Sequence, residues 1–274
     1  MTEPMEQPGT GASPELLAAM EANLFEAYAH LGRALGGEFH QRDGLLFFFS
    51  GRPVFFGNGV IRCQLAEQEA DEQIAALCAE ARRRQVPLTW LLAPSSRPGD
   101  LEQRLQAQGC RLDEEVPGMA IDLGQPVPSA APPVPEDLVV EEVGEARAME
   151  TWLQVLCDGF GFPEPIRAVF FDLYQRYGFL PGQQVRYLLG FWHGEPVGTA
   201  LLTFGGDLAG LYGVATLPQA RRRGVGTAMT LAAMRTAEQL GYRRATLQAT
   251  PMGLNVYRRL GWQEYCLFKT YVLA

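Results

Sequence analysis

The chain has 274 residues, 47% of them apolar, and a formal net charge of −8. That is enough apolar material for one large domain or two average ones, and too much for a chain disordered throughout. The acidic balance argues against a general nucleic-acid binder, which needs a basic face.

Five cysteines, Cys63, Cys78, Cys110, Cys157 and Cys266, lie far apart without a CxxC pair. They read as free thiols in a reducing compartment, with no disulfide framework and no metal site. The first 14 residues read as a flexible N-terminus with neither a basic segment nor an apolar core, so no signal peptide is expected. The apolar run GLLFFFSG (44–51) is too short to span a bilayer. A cytoplasmic protein without membrane contact is the expectation.

In chain order, GLLFFFSG and PVFFGNGVIRCQL predict a hairpin, EADEQIAALCAEARRRQ (69–85) a helix and PLTWLLAP (87–94) a strand. DLEQRLQAQG (100–109) predicts a helix closed by glycine, and GMAIDL (118–123) a strand. GQPVPSAAPPVPED (124–137) holds five prolines among small residues and reads as a semi-rigid linker. LVVEEV (138–143) is a strand, and 145–160 and 165–178 have helical apolar spacing. VRYLLGFW (185–192) and PVGTALLTF (196–204) are strands joined across His193-Gly194-Glu195. LAGLYGVATL (208–217) is a strand with two glycines, followed by a helix to about Leu240 and a strand at 245–250. GLNVYRRLG (253–261) is a short glycine-capped helix, and 262–273 forms two strands or one bent one.

The two halves repeat one order: helix, apolar strand ending in Ala-Pro or Thr-Pro, short helix closing at Gly109 or Gly261, and final strand. That self-similarity predicts two copies of one fold. The expected division is a first domain over 15–123, the linker at 124–137 and a second domain over 138–274.

The segment LPQARRRGVGTAMT (217–230) sets three arginines and two spaced glycines against a helix start in an otherwise acidic chain. Helix-start amides lack intrahelical partners and carry partial positive charge, and preceding glycines permit close approach and φ > 0. The product is an anion site suited to phosphate. A Walker A loop needs a lysine here, and the chain's one lysine is Lys269. A dinucleotide fingerprint needs GxGxxG, and only Gly224-x-Gly226 is present. What remains is Arg221-x-x-Gly224-x-Gly226. The competing structural reading is a solvated basic turn that only starts a helix.

This pattern resembles the acyl-CoA loop of the GNAT family of N-acetyltransferases, Gln/Arg-x-x-Gly-x-Gly/Ala. GLNVYRRLGW is similar to a later element of that family, which carries Tyr-x-x-x-Gly-Phe/Trp. Arg222 and Arg223 depart from the pattern where one position is often glycine. The resemblance implies an α+β fold of two GNAT-like domains, each a mixed, mostly antiparallel, splayed sheet flanked by helices. It implies acetyl-CoA as the cofactor, its pyrophosphate on Arg221, Arg222, Arg223, Gly224, Val225, Gly226 and Thr227. Its pantetheine would lie along the splayed strand at Val214, Ala215 and Thr216. Tyr257 takes the place of the family's general acid, which protonates the departing thiolate. The acceptor pocket falls on CDGFGFPEP (157–165), with Phe160, Phe162 and Tyr212, and near Tyr265; an aromatic wall suits the primary amine of a small molecule or amino acid. Glu141, Glu142, Asp158 and Glu164 stand as alternative bases. Cys157 and Cys266 lack an evident histidine partner, which favours direct transfer in a ternary complex over a ping-pong route.

The first half departs further. Glu67, Glu69, Asp71 and Glu72 stand where its loop would be, and Leu105 where Tyr257 would be. It reads as a degenerate copy. The leading reading is an acetyl-CoA-dependent N-acetyltransferase; the alternative is a non-catalytic acyl-CoA-binding or regulatory module.

Overall fold

The computed structural model describes residues 12–274 except 43, 130, 178–184 and 206. Most of the segment expected to be a flexible N-terminus therefore lies outside the described residues. The elements are α1 (Pro14–Ala34), β1 (Glu38–Arg42), β2 (Leu45–Phe49), β3 (Asn58–Cys63), α2 (Glu67–Arg84), β4 (Leu88–Leu92), α3 (Leu101–Ala107) and β5 (Arg111–Asp122). After the proline-rich segment come β6 (Leu138–Glu142), α4 (Ala146–Phe160), α5 (Glu164–Tyr177), β7 (Val185–Trp192), β8 (Glu195–Gly205) and β9 (Leu208–Thr216). Then follow α6 (Val225–Gln239), β10 (Arg244–Gln248), α7 (Leu254–Arg259) and β11 (Gln263–Leu273). The helix α1 and strand β1 have no counterpart in the sequence reading. The last segment is one strand.

The chain divides into two compact units, one of residues 1–117 with 265–274, the other of residues 118–264. The boundaries do not fall at the proline-rich linker, because the last strand of each half is spent elsewhere. In the first unit the order is β1-β2-β3-β4-β11-β5, and Lys269–Leu273 of β11 pairs antiparallel with Leu88–Leu92 of β4. In the second the order is β5-β10-β9-β8-β7-β6, and Gly118–Asp122 of β5 pairs antiparallel with Arg244–Gln248 of β10. Within each unit the strands pair mostly antiparallel, with one parallel strand pair among the described residues: β3 with β4, and β9 with β10.

The cores follow from the periodicities. In the first unit, Ile74, Leu77, Cys78 and Ala81 of α2 pack with Leu88, Trp90, Tyr271 and Leu273. Tyr271 donates to Glu102 at 2.6 Å, and Lys269 bridges Glu102 and Glu115 at 2.9 Å each, which fastens β11 to α3 and β5. In the second unit, Val225, Met229, Ala233 and Ala237 of α6 lie against Ala200, Leu202 and Leu211. Val143, Met149, Trp152, Leu153 and Leu156 form another cluster with Leu189 and Ala215. Burying each large apolar side chain contributes about 1.5–3 kcal/mol. Trp152 is core: its indole N–H donates to the Leu188 and Ala200 carbonyls at 3.0 and 3.3 Å. The five cysteines are buried and in no disulfide. Among the described residues no helix is long and apolar enough to cross a membrane.

Candidate active site

The site is built at the end of β9. This strand pairs in parallel with β10 only from Leu208 to Gly210, opposite Arg244–Thr246. Beyond that point the ladder stops while β9 continues to Thr216. On its other side β9 stays paired with β8, with a register shift between Leu201 and Thr199. Gly213 sits in this irregularity at φ +55°, a backbone state that a side chain disfavours, and the Thr199 hydroxyl donates to its carbonyl at 2.8 Å. The bulge takes in Val214; beyond it Ala215 and Thr216 lie opposite Thr199 and Gly198 of β8, with no β10 partner among the described residues. The glycine inside an apolar strand thus has a local cause.

Immediately after this edge comes a short 3-10 turn, Pro218–Ala220, and then the arginine–glycine stretch. Arg222 has φ +60° and Gly224 φ +84°, two left-handed residues within three positions. Alternation of this kind points successive amides into one concavity. The departure from glycine at Arg222 is therefore real in conformation as well as sequence, since a non-glycine residue occupies a left-handed position at a cost of about 1 kcal/mol. The first intrahelical bond of α6 runs from Ala228 N to Gly224 O at 2.9 Å. The amides of Val225, Gly226 and Thr227 precede the ladder, and no side chain caps them. A Cβ on Gly226 would meet only Thr216 Oγ1, at 3.8 Å.

The three arginines do different things. Arg222 and Arg223 are exposed, and Arg223 lies over the Trp192 ring at 5.5 Å from its centroid. Arg221 turns inward, donating to the Gly159 carbonyl at 2.8 Å and to the Thr216 carbonyl at 3.3 Å. Its guanidinium is engaged with these two protein carbonyls. Thr227 is buried.

Tyr257 lies on α7, 8% exposed, with its ring edge-on to Trp262 at 6.0 Å. Burial raises its phenol pKa. The ring fits because residue 253 is glycine: a Cβ there would stand 2.8 Å from Tyr257 Cε2.

The end of α4 supplies an aromatic surface. Phe160 stacks on Phe162 at 5.3 Å and Phe162 on Phe170 at 5.7 Å, and Phe160 is 43% exposed. Sequence reasoning missed Phe170, whose eight-residue offset from Phe162 crosses a helix start and hides the alignment. Tyr212 is half-buried on β9, opposite Leu201. Asp158 is bound to Arg167 at 2.5 Å and accepts from Gln154 at 2.8 Å. The Arg167 guanidinium holds the Asp158 carboxyl below its ordinary pKa, which weakens it as a base. Glu142 is paired with Arg186 at 3.1 Å, and Glu164 and Glu141 are exposed. Burial raises the Cys157 thiol. His193 is in the exposed hairpin turn, stacked on Trp192.

The parting of β9 from β10, the bulge and the turn all fall within one matched stretch. Residues 149–262 match the Acetyltransferase (GNAT) family. A GCN5-related N-acetyltransferase from Kribbella flavida superimposes with a TM-score of 0.69 at 19% identity, over 90% of this chain and 94% of that one. A second, from Sphaerobacter thermophilus, gives 0.62 at 17% identity, over 95% and 91%. A tandem GNAT protein from the clavulanic acid biosynthesis pathway gives 0.57 at 17%, over 84% and 78%. At these identities the likeness is one of fold. No curated protein sequence matches the chain significantly.

Outside the GNAT match, the first unit closes the corresponding gap. Its parallel pair spans Gly59–Val60 and Thr89–Trp90. Farther along, Arg97 N donates to Cys63 O at 2.9 Å and Arg97 O accepts from Leu65 N at 3.3 Å. Main-chain bonds thus fill, in the first unit, the position that is open beside β9 among the described residues of the second. The following helix, α2, begins with Glu67 and Glu69 and has no glycine at its start. Leu105, at the place matching Tyr257, is fully buried on α3.

Proposed function

We propose that this protein moves an acetyl group from acetyl-CoA to the amine of a small molecule. The observation that carries the reading is the free edge of β9 running directly into an uncapped, left-handed arginine–glycine turn. An extended amide chain adds to the edge by main-chain hydrogen bonds, and a diphosphate matches the amides of residues 222–227. Arg222 and Arg223 add positive charge near that turn. Val214, Ala215 and Thr216 are the pantetheine edge in this reading. The same GNAT fold in proteins named acetyltransferases supports it.

The reaction is written as direct transfer. The amine nitrogen attacks the thioester carbonyl, the C–S bond breaks, and the sulfur takes a proton from the Tyr257 hydroxyl. The proton lost by the nitrogen returns to the phenolate through water. Burial favours the neutral phenol, so Tyr257 carries the required proton across the physiological range. The four carboxylates considered as bases are paired or exposed, and the attacking amine arrives deprotonated from solvent. Buried Cys157, with its raised thiol, is a poor nucleophile for a covalent route. Phe160, Phe162 and Tyr212 line the acceptor side, now joined by Phe170. The first unit is a degenerate copy in this reading, its gap filled and its helix start acidic.

Calorimetric titration with acetyl-CoA tests the cofactor assignment, alongside Gly226→Glu. Position 226 is open enough for the variant to fold, so abolished binding reports bulk and charge at the anion site. Thiol release against a panel of small amines then tests transfer. Failure of the wild type to bind would reduce the arginines and glycines to a helix start.

A further inference from the structure

Arg221 opens the anion turn with its backbone, yet its side chain faces away from that turn. The C-terminal carbonyls of α4 explain where it goes. A helix leaves its last carbonyls without intrahelical partners. Cys157 O accepts from Phe162 N at 2.9 Å and Asp158 O from Gly161 N at 3.3 Å, a left-handed glycine closure. Gly159 O accepts instead from Arg221 Nη2 at 2.8 Å, across 62 positions of sequence. The second N–H, on Nε, holds Thr216 O at 3.3 Å. A cation at a helix C-terminus is favourable in itself.

The contact beneath is equally tight. A Cβ on Gly159 would stand 2.7 Å from Ala215 Cβ and 3.3 Å from Thr216 N. The last turn of α4 therefore presses on the two strand residues that end at the anion turn, and Arg221 clamps it there. Phe160 and Phe162, the first two rings of the aromatic stack, follow Gly159 within three residues.

We propose that Arg221 is a positioning residue which couples occupancy of the phosphate turn to the placement of the aromatic acceptor segment, Asp158–Phe162. The proposal rests on the acyl-CoA reading above. One residue joins three parts: the turn, by its backbone, and, by its guanidinium, both the strand edge at Thr216 and the acceptor helix at Gly159. An ammonium is a single point charge on a flexible stem and does not reproduce the fork that meets both carbonyls.

Hydrogen exchange with coenzyme A as the probe tests this without knowledge of the acceptor. Wild-type protein, Arg221→Ala and Arg221→Lys are compared with and without saturating coenzyme A. In the wild type, coenzyme A is expected to slow exchange at 222–227 and at 158–162. In Arg221→Ala, protection at 222–227 persists, with affinity changed less than about threefold, and the added protection at 158–162 is lost. Arg221→Lys restores part of it. A tenfold or greater loss of coenzyme A affinity in both variants would make Arg221 a phosphate ligand and overturn the proposal. So would unchanged protection of 158–162 in Arg221→Ala. Absence of protection at 222–227 in the wild type would instead remove the cofactor reading itself. If Arg221→Ala fails to fold, Arg221→Lys alone decides, since a protection gain at 158–162 equal to the wild type's excludes a need for the fork.

Discussion

Gly253 and Tyr257 are fitted to one another one helical turn apart: a Cβ on residue 253 would lie 2.8 Å from Tyr257 Cε2 and 3.5 Å from its hydroxyl oxygen. Contacts under 3.0 Å force movement of whichever group can yield. Gly253→Ala is expected to displace the phenol and lower kcat about tenfold or more while leaving acetyl-CoA affinity near its wild-type value. Tyr257→Phe, which removes the proton and keeps the ring, is expected to lower kcat about 10²–10⁴-fold. Thiol-release kinetics with calorimetry on both variants checks this, and full turnover in Tyr257→Phe would end the acid role.

Burial, the one cause acting on Tyr257, raises its pKa above the ordinary value of 10.0. The pH profile of kcat should therefore show no falling limb from this phenol up to pH 10. Stability carries the opposite sign at the alkaline end. The unfolded tyrosine ionises near 10 and the folded one above it, so stability present below pH 10 is lost as pH rises toward the folded value. The slope there is at most about 1.4 kcal/mol per pH unit. Urea midpoints at pH 9 and pH 11 should fall less in Tyr257→Phe than in the wild type.

The strand arrangement makes the second half dependent on residues before the linker. Met119 and Leu123 are buried in the core of the second unit, Thr246 donates to Met119 O at 3.1 Å, and Leu123 N donates to Arg243 O at 2.8 Å. A fragment of residues 138–274 lacks all of these and carries a last strand whose partner is Leu88–Leu92. It is expected to lose near-UV circular dichroism and a cooperative urea transition. A fragment that unfolds as sharply as the full chain would contradict this.

The filled gap in the first unit predicts one acetyl-CoA per chain. A second molecule would have to displace the main-chain bonds between Arg97 and both Cys63 and Leu65, beside a helix start bearing Glu67 and Glu69. Calorimetric stoichiometry decides the matter, and a value of two would mean that this gap opens.

Much of the site was legible because its requirements are local. The proposed phosphate turn needs particular residues within about six positions, and the candidates, Arg221 to Gly226, stand in sequence. Tyr257 was legible through its spacing from Gly261, itself a left-handed helix closure at φ +92°. The aromatic segment was legible in Phe160 and Phe162, though Phe170 was not, because its ring joins the stack only once α5 folds back. The free edge of β9 was implied by resemblance alone; no periodicity marks where a parallel ladder stops. The helix α1, with Ser13 as its cap and Pro14 in its first turn, did carry start signals that the reading passed over.

What the sequence determined by itself were the short-range features: alternation for strands, helical spacing, the glycines that admit left-handed backbone, and the acidic residues at the start of α2. Only the tertiary structure decided the partners. The last strand of the chain pairs with β4, and the Arg221 guanidinium donates to a carbonyl 62 positions away. The physical reason is range. Backbone conformation is chosen by neighbours a few residues apart, whereas strand pairing and buried hydrogen bonds are chosen among all edges and carbonyls the folded chain brings within reach.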